Sequence, residues 1–224
     1  MKLYYHPAST TSRPITLFAG DAGIELEYQL VDLFAGEHAQ PAFAALNPNM
    51  AVPLLVDGDF RLTESSTILK YLADTVDSPA YPADPRQRAR INERMDWFNT
   101  TLCRELCYGF IYPQLMPTHK RPDESFQLQT LEWSRTRAQR WLSVLDHSWL
   151  GSNRYVCGNE ISIADYMGVA HVTLGEATHV DYSRWTNVQR WIERMKDRPS
   201  WVTANAAFYQ YLVSPLARAS FEQL

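Results

Sequence analysis

Three short stretches of this 224-residue chain carry side chains whose types and spacing could do chemistry. The first is Ser9-Thr10-Thr11-Ser12, four hydroxyls just ahead of Arg13-Pro14. Proline is tolerated in a helix's first turn, so the run leads into a helix with Ser12 as its expected N-cap. Hydroxyls in such a place either cap the helix or donate to something bound beside it. The second stretch is Val52-Pro53, running into apolar Leu54-Leu55-Val56. Proline cannot donate to a ladder and belongs at a strand's first residue or edge. A cis bond there would aim the Val52 amide and carbonyl outward, toward a ligand's backbone. Only about 5–6% of X-Pro bonds are cis, so these residues alone read as trans. The third stretch is Glu64-Ser65 at the start of an apolar helical pattern, Ile68, Leu69 and Leu72. Free N–H groups and the positive dipole end favour an anion such as a carboxylate there. The plain alternative is an N-capping Ser65 beside a solvated Glu64.

The elements that must position these groups follow from periodicity. Lys2 to Tyr5 and Glu27 to Val31 read as strands, and Arg13 to about Ala22 as a helix stopped by Gly23. Ala42 to Leu46 is a short helix, and Asp57-Gly58-Asp59 a hairpin turn between Leu54-Leu55-Val56 and Phe60-Arg61-Leu62. The order is β-α-β-α-β-β-α. Pro79, Pro82 and Pro85 mark a linker, and beyond it only helical periods remain. The expected division is residues 1–76, a linker at 77–85, and an all-helical part at 86–224. One helix is predicted from Arg86 to Tyr112, ended by Pro113, and a second from Asp123 to about Leu150. Shorter helices are predicted from Ser162 to Leu174, Val188 to Lys196 and Pro199 to about Phe208. Ser162 and Asp165 form a capping-box signature flanked by Ile161 and Tyr166, a folding element whose loss would cost about 0.5–2 kcal/mol.

Composition narrows the function classes. With 46% hydrophobic residues the chain can build a sizeable core, and a net charge of −4 leaves no basic footprint for nucleic acid. No apolar run approaches the roughly 20 residues of a membrane span, and the start lacks a signal peptide's apolar core. Three cysteines without disulfide-like spacing fit a reducing compartment. A cytoplasmic protein is expected. Cys103 and Cys107 lie four apart on a helix, but nothing at ligand spacing completes a metal site, so no metal is expected. No phosphate loop, nucleotide fingerprint or nucleophile elbow is present.

The run V-P-x-L, a hairpin, then T-E-S-x-x-I-L-x-Y-L resembles the glutathione-binding half of the glutathione transferase family. The resemblance implies a thioredoxin-like N-terminal domain, its crossover helices joining parallel strands and its hairpin adding an antiparallel edge, followed by the family's all-helical C-terminal domain. It implies a cis bond at Val52-Pro53, with Val52 pairing with the cysteinyl backbone of glutathione. Glu64 and Ser65 would hold the γ-glutamyl carboxylate and amine. L-Y-x-x-x-x-S-x-x-x-R at the N-terminus, D-L-F-A-G-E-H around His38 and W-x-x-T-T-L-x-R at Trp97 resemble the theta class, in a bacterial member. There the catalytic serine falls on Ser9, and His38 matches a histidine at the glycyl end. A lysine expected before the V-P valine is Ala51 here, which leaves His38 or Arg13 as cationic partner for the glycyl carboxylate. The family's reaction needs a thiolate. A donated hydroxyl contributes about 1.5–3 kcal/mol, or about one to two pKa units. Ser9 is the first candidate, with Thr10 and Ser12 behind it, and capping remains the alternative for all three. Tyr5 is expected to pack in the sheet.

Trp97, Thr101, Arg104, Tyr108 and Tyr112, at spacings of three and four, share one helix face. Arg104, Tyr108 and Tyr112 would line a cleft for a hydrophobic electrophile, with Phe208 and Tyr211 closing it; interhelix packing is the alternative. The expected activity is glutathione conjugation, dehalogenation being one variant, with glutathione as co-substrate and a homodimer as the assembly. The competing expectation is a transferase-fold protein that works by binding other proteins.

Overall fold

Leu3 is fully buried between half-buried neighbours, so Lys2–Tyr5 forms a strand, β1, with one face in the core. The structure, a computed structural model, describes residues 1–224. Helix α1 (Arg13–Asp21) crosses to β2 (Glu27–Leu30), which pairs parallel with β1. A short helix α2 (Pro41–Ala44) precedes β3 (Leu54–Asp57), and Gly58 at φ +61° turns the chain into β4 (Phe60–Leu62). Helix α3 (Ser65–Thr75) completes this part, and the sheet order is β2-β1-β3-β4. Only the first crossover joins parallel strands, because β3 runs antiparallel to β1. This corrects the expectation that both crossover helices would do so.

The helical part opens with α4 (Pro85–Trp97), capped by Asp84 accepting from the Gln87 N–H at 2.9 Å. The chain stays helical through wide i→i+5 turns at Phe98–Leu102 and Arg104–Ile111, then α5 (Tyr112–Leu115). Pro113 does not end the helix as expected. It sits where the wide turns give way to α5, and the helix runs two residues past it, to Leu115. Helix α6 (Glu124–Val144) is followed by wide turns to Leu150 and by α7 (Ile163–Thr173), every residue of which is buried. Helices α8 (Thr186–Lys196) and α9 (Trp201–Phe208) complete the array. Gly109 lets the wide-turned segment lie against α6: a Cβ there would stand 2.2 Å from Ser134 Oγ.

The two parts share a core. One apolar cluster runs from Leu3, Phe18 and Leu69 through Met95 and Phe98 to Trp191. Helix α1 packs on α7 and α9, and α3 on α7. Polar ties cross the same seam. Arg13 is buried, donating from Nε to Asn205 Oδ1 at 2.7 Å and from Nη2 to Thr173 Oγ1 at 2.8 Å, with Phe208 3.8 Å from its guanidinium carbon. Asp21 accepts from the Tyr166 hydroxyl at 3.0 Å and from Arg198 Nε at 2.7 Å.

The Ser162–Asp165 capping box forms, and Asp165 does more than cap. Fully buried, it also accepts from the Val156 N–H at 2.9 Å and the Trp191 indole at 3.0 Å. Asp165→Ala strands these donors and the Ser162 N–H, at about 1–3 kcal/mol each. Urea denaturation is expected to give a loss of at least about 3 kcal/mol, against about 1 kcal/mol for removal of the exposed cap Asp123.

Candidate active site

The sheet register brings the three chemistry-bearing stretches to one end of the sheet. Tyr4 lies opposite Leu54 and Leu62 opposite Leu55, so the residues that follow β1, precede β3 and follow β4, with His6, Val52-Pro53 and Glu64 among them, lie at the same end of the sheet. The Val52-Pro53 bond is cis. Asn47 holds the approach, donating from Nδ2 to the Ala51 carbonyl at 2.7 Å and accepting the Asn49 N–H at 3.0 Å. The Val52 N–H makes no hydrogen bond within the chain, while the Val52 carbonyl accepts from Thr11 Oγ1 at 3.0 Å.

The hydroxyl run folds into a turn ahead of α1. The Ala8 N–H donates to His6 Nδ1 at 3.2 Å, and the Ser9 N–H to the His6 carbonyl at 2.9 Å. Ser9 Oγ accepts the N–H groups of Thr11 and Ser12, both at 3.3 Å, and lies 2.9 Å from Thr11 Oγ1. Ser9 therefore caps the turn that Ser12 was expected to cap. Ser12 is 0% exposed and its hydroxyl finds no partner. That burial keeps Ser12 from any bound sulfur and corrects its place among the candidates. Thr10 is 5% exposed and accepts the Tyr112 hydroxyl at 2.9 Å across the seam between the two parts. Ser9 is the half-buried, reachable hydroxyl of the three. Tyr5 packs on Tyr28 in the sheet, ring centres 5.0 Å apart.

Glu64 precedes α3 at φ +66°, a region a non-glycine residue enters at a cost of about 1–3 kcal/mol. No side chain caps the first turn, so the amides of Ser65 and Ser66, both buried residues, head the helix dipole unpaired. Backbone strain beside an uncapped, carboxylate-favouring helix start points to a ligand rather than to folding.

Other expected residues sit elsewhere. Arg13, buried against Asn205, Thr173 and Phe208, cannot reach a glycyl carboxylate; burial lowers its pKa from 12.5 to about 10, so it stays charged near neutrality. His38 is half-buried in the turn Glu37–Ala39, its Nδ1 shielded and without a partner, and no hydrogen bond ties it to the other candidates. Ala51 is exposed and offers no cation. Arg104 is exposed rather than buried and pairs with Glu105 at 2.9 Å. Trp97 leaves the expected face to pack on Trp149, centres 4.1 Å apart and ring planes tilted by 60°, since the wide turns break strict three-and-four spacing. Tyr108 packs on Tyr112 at 5.1 Å, and His119 lies 5.8 and 5.1 Å from the two rings. Burial pushes the Tyr112 pKa far up, so it stays a donor to Thr10. Phe208 is fully buried under Arg13 and so does not close this cleft, while Tyr211 is half exposed, as Tyr108 is. His119, Asn47 and Thr11 were not singled out from sequence; only the Asn47-Pro48-Asn49 loop carried a turn signal. A hollow of about 790 Å³ bounded by Gln114, Lys120, Arg121 and Phe221 contains none of the candidate residues.

The N-terminal domain model of the glutathione S-transferase family matches residues 1–74, and its C-terminal domain model residues 111–199. A delta-class glutathione transferase of Nilaparvata lugens is 32% identical over 92% of this chain and 93% of its own, with a TM-score of 0.78. The chain belongs to the glutathione S-transferase family. Human glutathione transferase theta-2, solved with glutathione and an unknown ligand, is 26% identical over 100% of this chain and 93% of its own, TM-score 0.84. A Bombyx mori glutathione transferase is 27% identical over 95% and 96%, TM-score 0.81. The expected thioredoxin-like domain with an all-helical second domain, and the theta-like character, therefore stand. No helix is long and apolar enough to cross a membrane, and no group of three or more His, Cys, Asp or Glu side chains could hold a metal ion.

His6 gives the transferase's serine turn a pH dependence. Burial lowers its pKa from the ordinary 6.5, and the neutral ring accepts the Ala8 N–H. The folded state binds this proton less readily than the unfolded chain, so its stabilising effect is complete above 6.5 and is lost as pH falls through the folded pKa. Denaturation midpoints of His6→Asn, which keeps an acceptor, should fall less than those of the wild type between about pH 7 and about pH 5.

Proposed function

We propose that this transferase conjugates the glutathione thiolate to hydrophobic electrophiles, including displacement of halide from small halogenated compounds. The observation that carries the reading is the meeting, at one sheet end, of a reachable Ser9 hydroxyl, a Val52 N–H with no acceptor in the chain, and the uncapped start of α3. In this reading Val52 takes the cysteinyl backbone beside Pro53, and Ser65 with the α3 amides takes the γ-glutamyl carboxylate. The Glu64 carboxylate faces the γ-glutamyl ammonium. Ser9 donates to the sulfur, and Thr10, tied to Tyr112, shapes the same wall. His38 and the backbone at Ala51 lie toward the glycyl end.

The energetics suffice. A hydroxyl donated to the thiolate contributes about 1.5–3 kcal/mol and a nearby helix start about 0.3–1 kcal/mol. A free thiol of pKa about 8.5 is thereby brought close to neutrality. The thiolate attacks the electrophilic carbon, and the carbon–halogen bond breaks with its electron pair leaving on halide. Tyr108, Tyr112 and exposed Arg104 receive the electrophile, Arg104 beside its partner Glu105. We also infer a cytoplasmic homodimer, as the family resemblance implies.

Retention on immobilised glutathione and turnover of a generic aryl halide test the reading directly. Ser9→Ala should lower kcat/KM by about ten- to a hundredfold. Arg104→Ala should leave glutathione retention intact while changing electrophile turnover. Absence of both retention and turnover would favour a transferase-fold protein acting through protein contacts.

A further inference from the structure

Thr11 stands at the junction of two groups that the proposed reaction uses separately. A hydroxyl has one proton. The Thr11 proton goes to the Val52 carbonyl at 3.0 Å, so in the 2.9 Å contact between the Thr11 and Ser9 oxygens Ser9 is the donor. Ser9 Oγ meanwhile accepts two backbone N–H groups at 3.3 Å each. Its proton is thus committed to Thr11, and its acceptor sites to the turn. A serine so arranged cannot also donate to a sulfur.

Resting on the proposed glutathione site, we infer that Thr11 is a positioning residue that couples docking of the tripeptide backbone at Val52 to the direction of the Ser9 hydroxyl. A peptide N–H arriving at the Val52 carbonyl takes its second lone pair and weakens the Thr11 bond to the first, which makes that hydroxyl easier to release. Once released, Thr11 can rotate and donate to Ser9 Oγ in place of one of the two long N–H contacts at 3.3 Å, which turns the Ser9 proton outward to the sulfur. The chain then runs Thr11 to Ser9 to thiolate, each donor polarising the next. Each hydroxyl keeps its own proton; only the order of donation reverses. The serine becomes a donor where the correct backbone has docked, so a simple thiol lacking that amide would be ionised less well.

The test compares Thr11→Val, which keeps the shape, with Thr11→Ser, which keeps the hydroxyl. The readouts are kcat and KM for glutathione and a pH titration of the ultraviolet absorbance of bound thiolate. Thr11→Val is expected to raise the titration midpoint by about half a unit to one unit, and to lower kcat about three- to tenfold with KM changed less than about twofold. Thr11→Ser should recover most of both. In a Ser9→Ala background Thr11→Val should add no further loss. If Ser9→Ala alone leaves the thiolate midpoint unchanged, the serine reading fails and this inference with it. If Ser9→Ala shifts the midpoint and Thr11→Val does not, the serine reading stands and the role of Thr11 is refuted. A loss in Thr11→Val that Thr11→Ser does not recover, or that persists in the Ser9→Ala background, overturns it equally.

Discussion

A full positive charge buried between the two halves of the molecule keeps them in one relation. Taking a guanidinium out of water costs several kcal/mol unless its donors and its charge are met. No carboxylate pairs with Arg13; Asn205 and Thr173 accept from its Nε and Nη2 and the face of Phe208 lies against it, while Nη1 is buried without a partner. All three belong to the helical part, whereas Arg13 opens the helix that follows the serine turn. Displacing the halves would leave that charge without compensation. The turn bearing Ser9 is therefore held from both sides, by the sheet through Val52 and by the helices through Arg13 and the Tyr112–Thr10 bond.

The site is built mainly from backbone. A cis turn, an uncapped helix start and a tight hydroxyl turn are loops held at the end of a sheet, and the core behind them keeps them aligned. This division of labour explains why helix α1 is mostly buried while Ser9, in the turn ahead of it, stays within reach. The strain at Glu64 fits the same logic, since only a well-packed surround holds a non-glycine residue at positive φ.

Much of this was legible in the residues because it depends on local chemistry. Asp57-Gly58-Asp59 marked the hairpin, Ser162 and Asp165 marked one helix start, and Glu64-Ser65 marked another. What was hidden depends on distant partners. Arg13 looked available to a carboxylate because Thr173 and Asn205, 160 and 192 positions away, leave no trace near it. Ser12 looked like the cap because four adjacent hydroxyls are alike until the turn assigns each an orientation. Arg104 and Trp97 were placed on one face by a 3.6-residue period that the wide turns do not follow. Pro113 read as a stop because a proline late in a long helix usually is one.

Gly109 has a consequence for how this family member could diversify. Its bare Cα lets the wide-turned segment that carries Tyr108 and leads into Tyr112 press against Ser134. A bulkier side chain at Gly109, or at Ser134 behind it, would push the aromatic wall forward without touching any group that meets a substrate. With the proposed electrophile cleft at this wall, tolerance for thick or thin molecules would be adjustable from the rear, by a pair of small residues that no inspection of the binding surface would pick out.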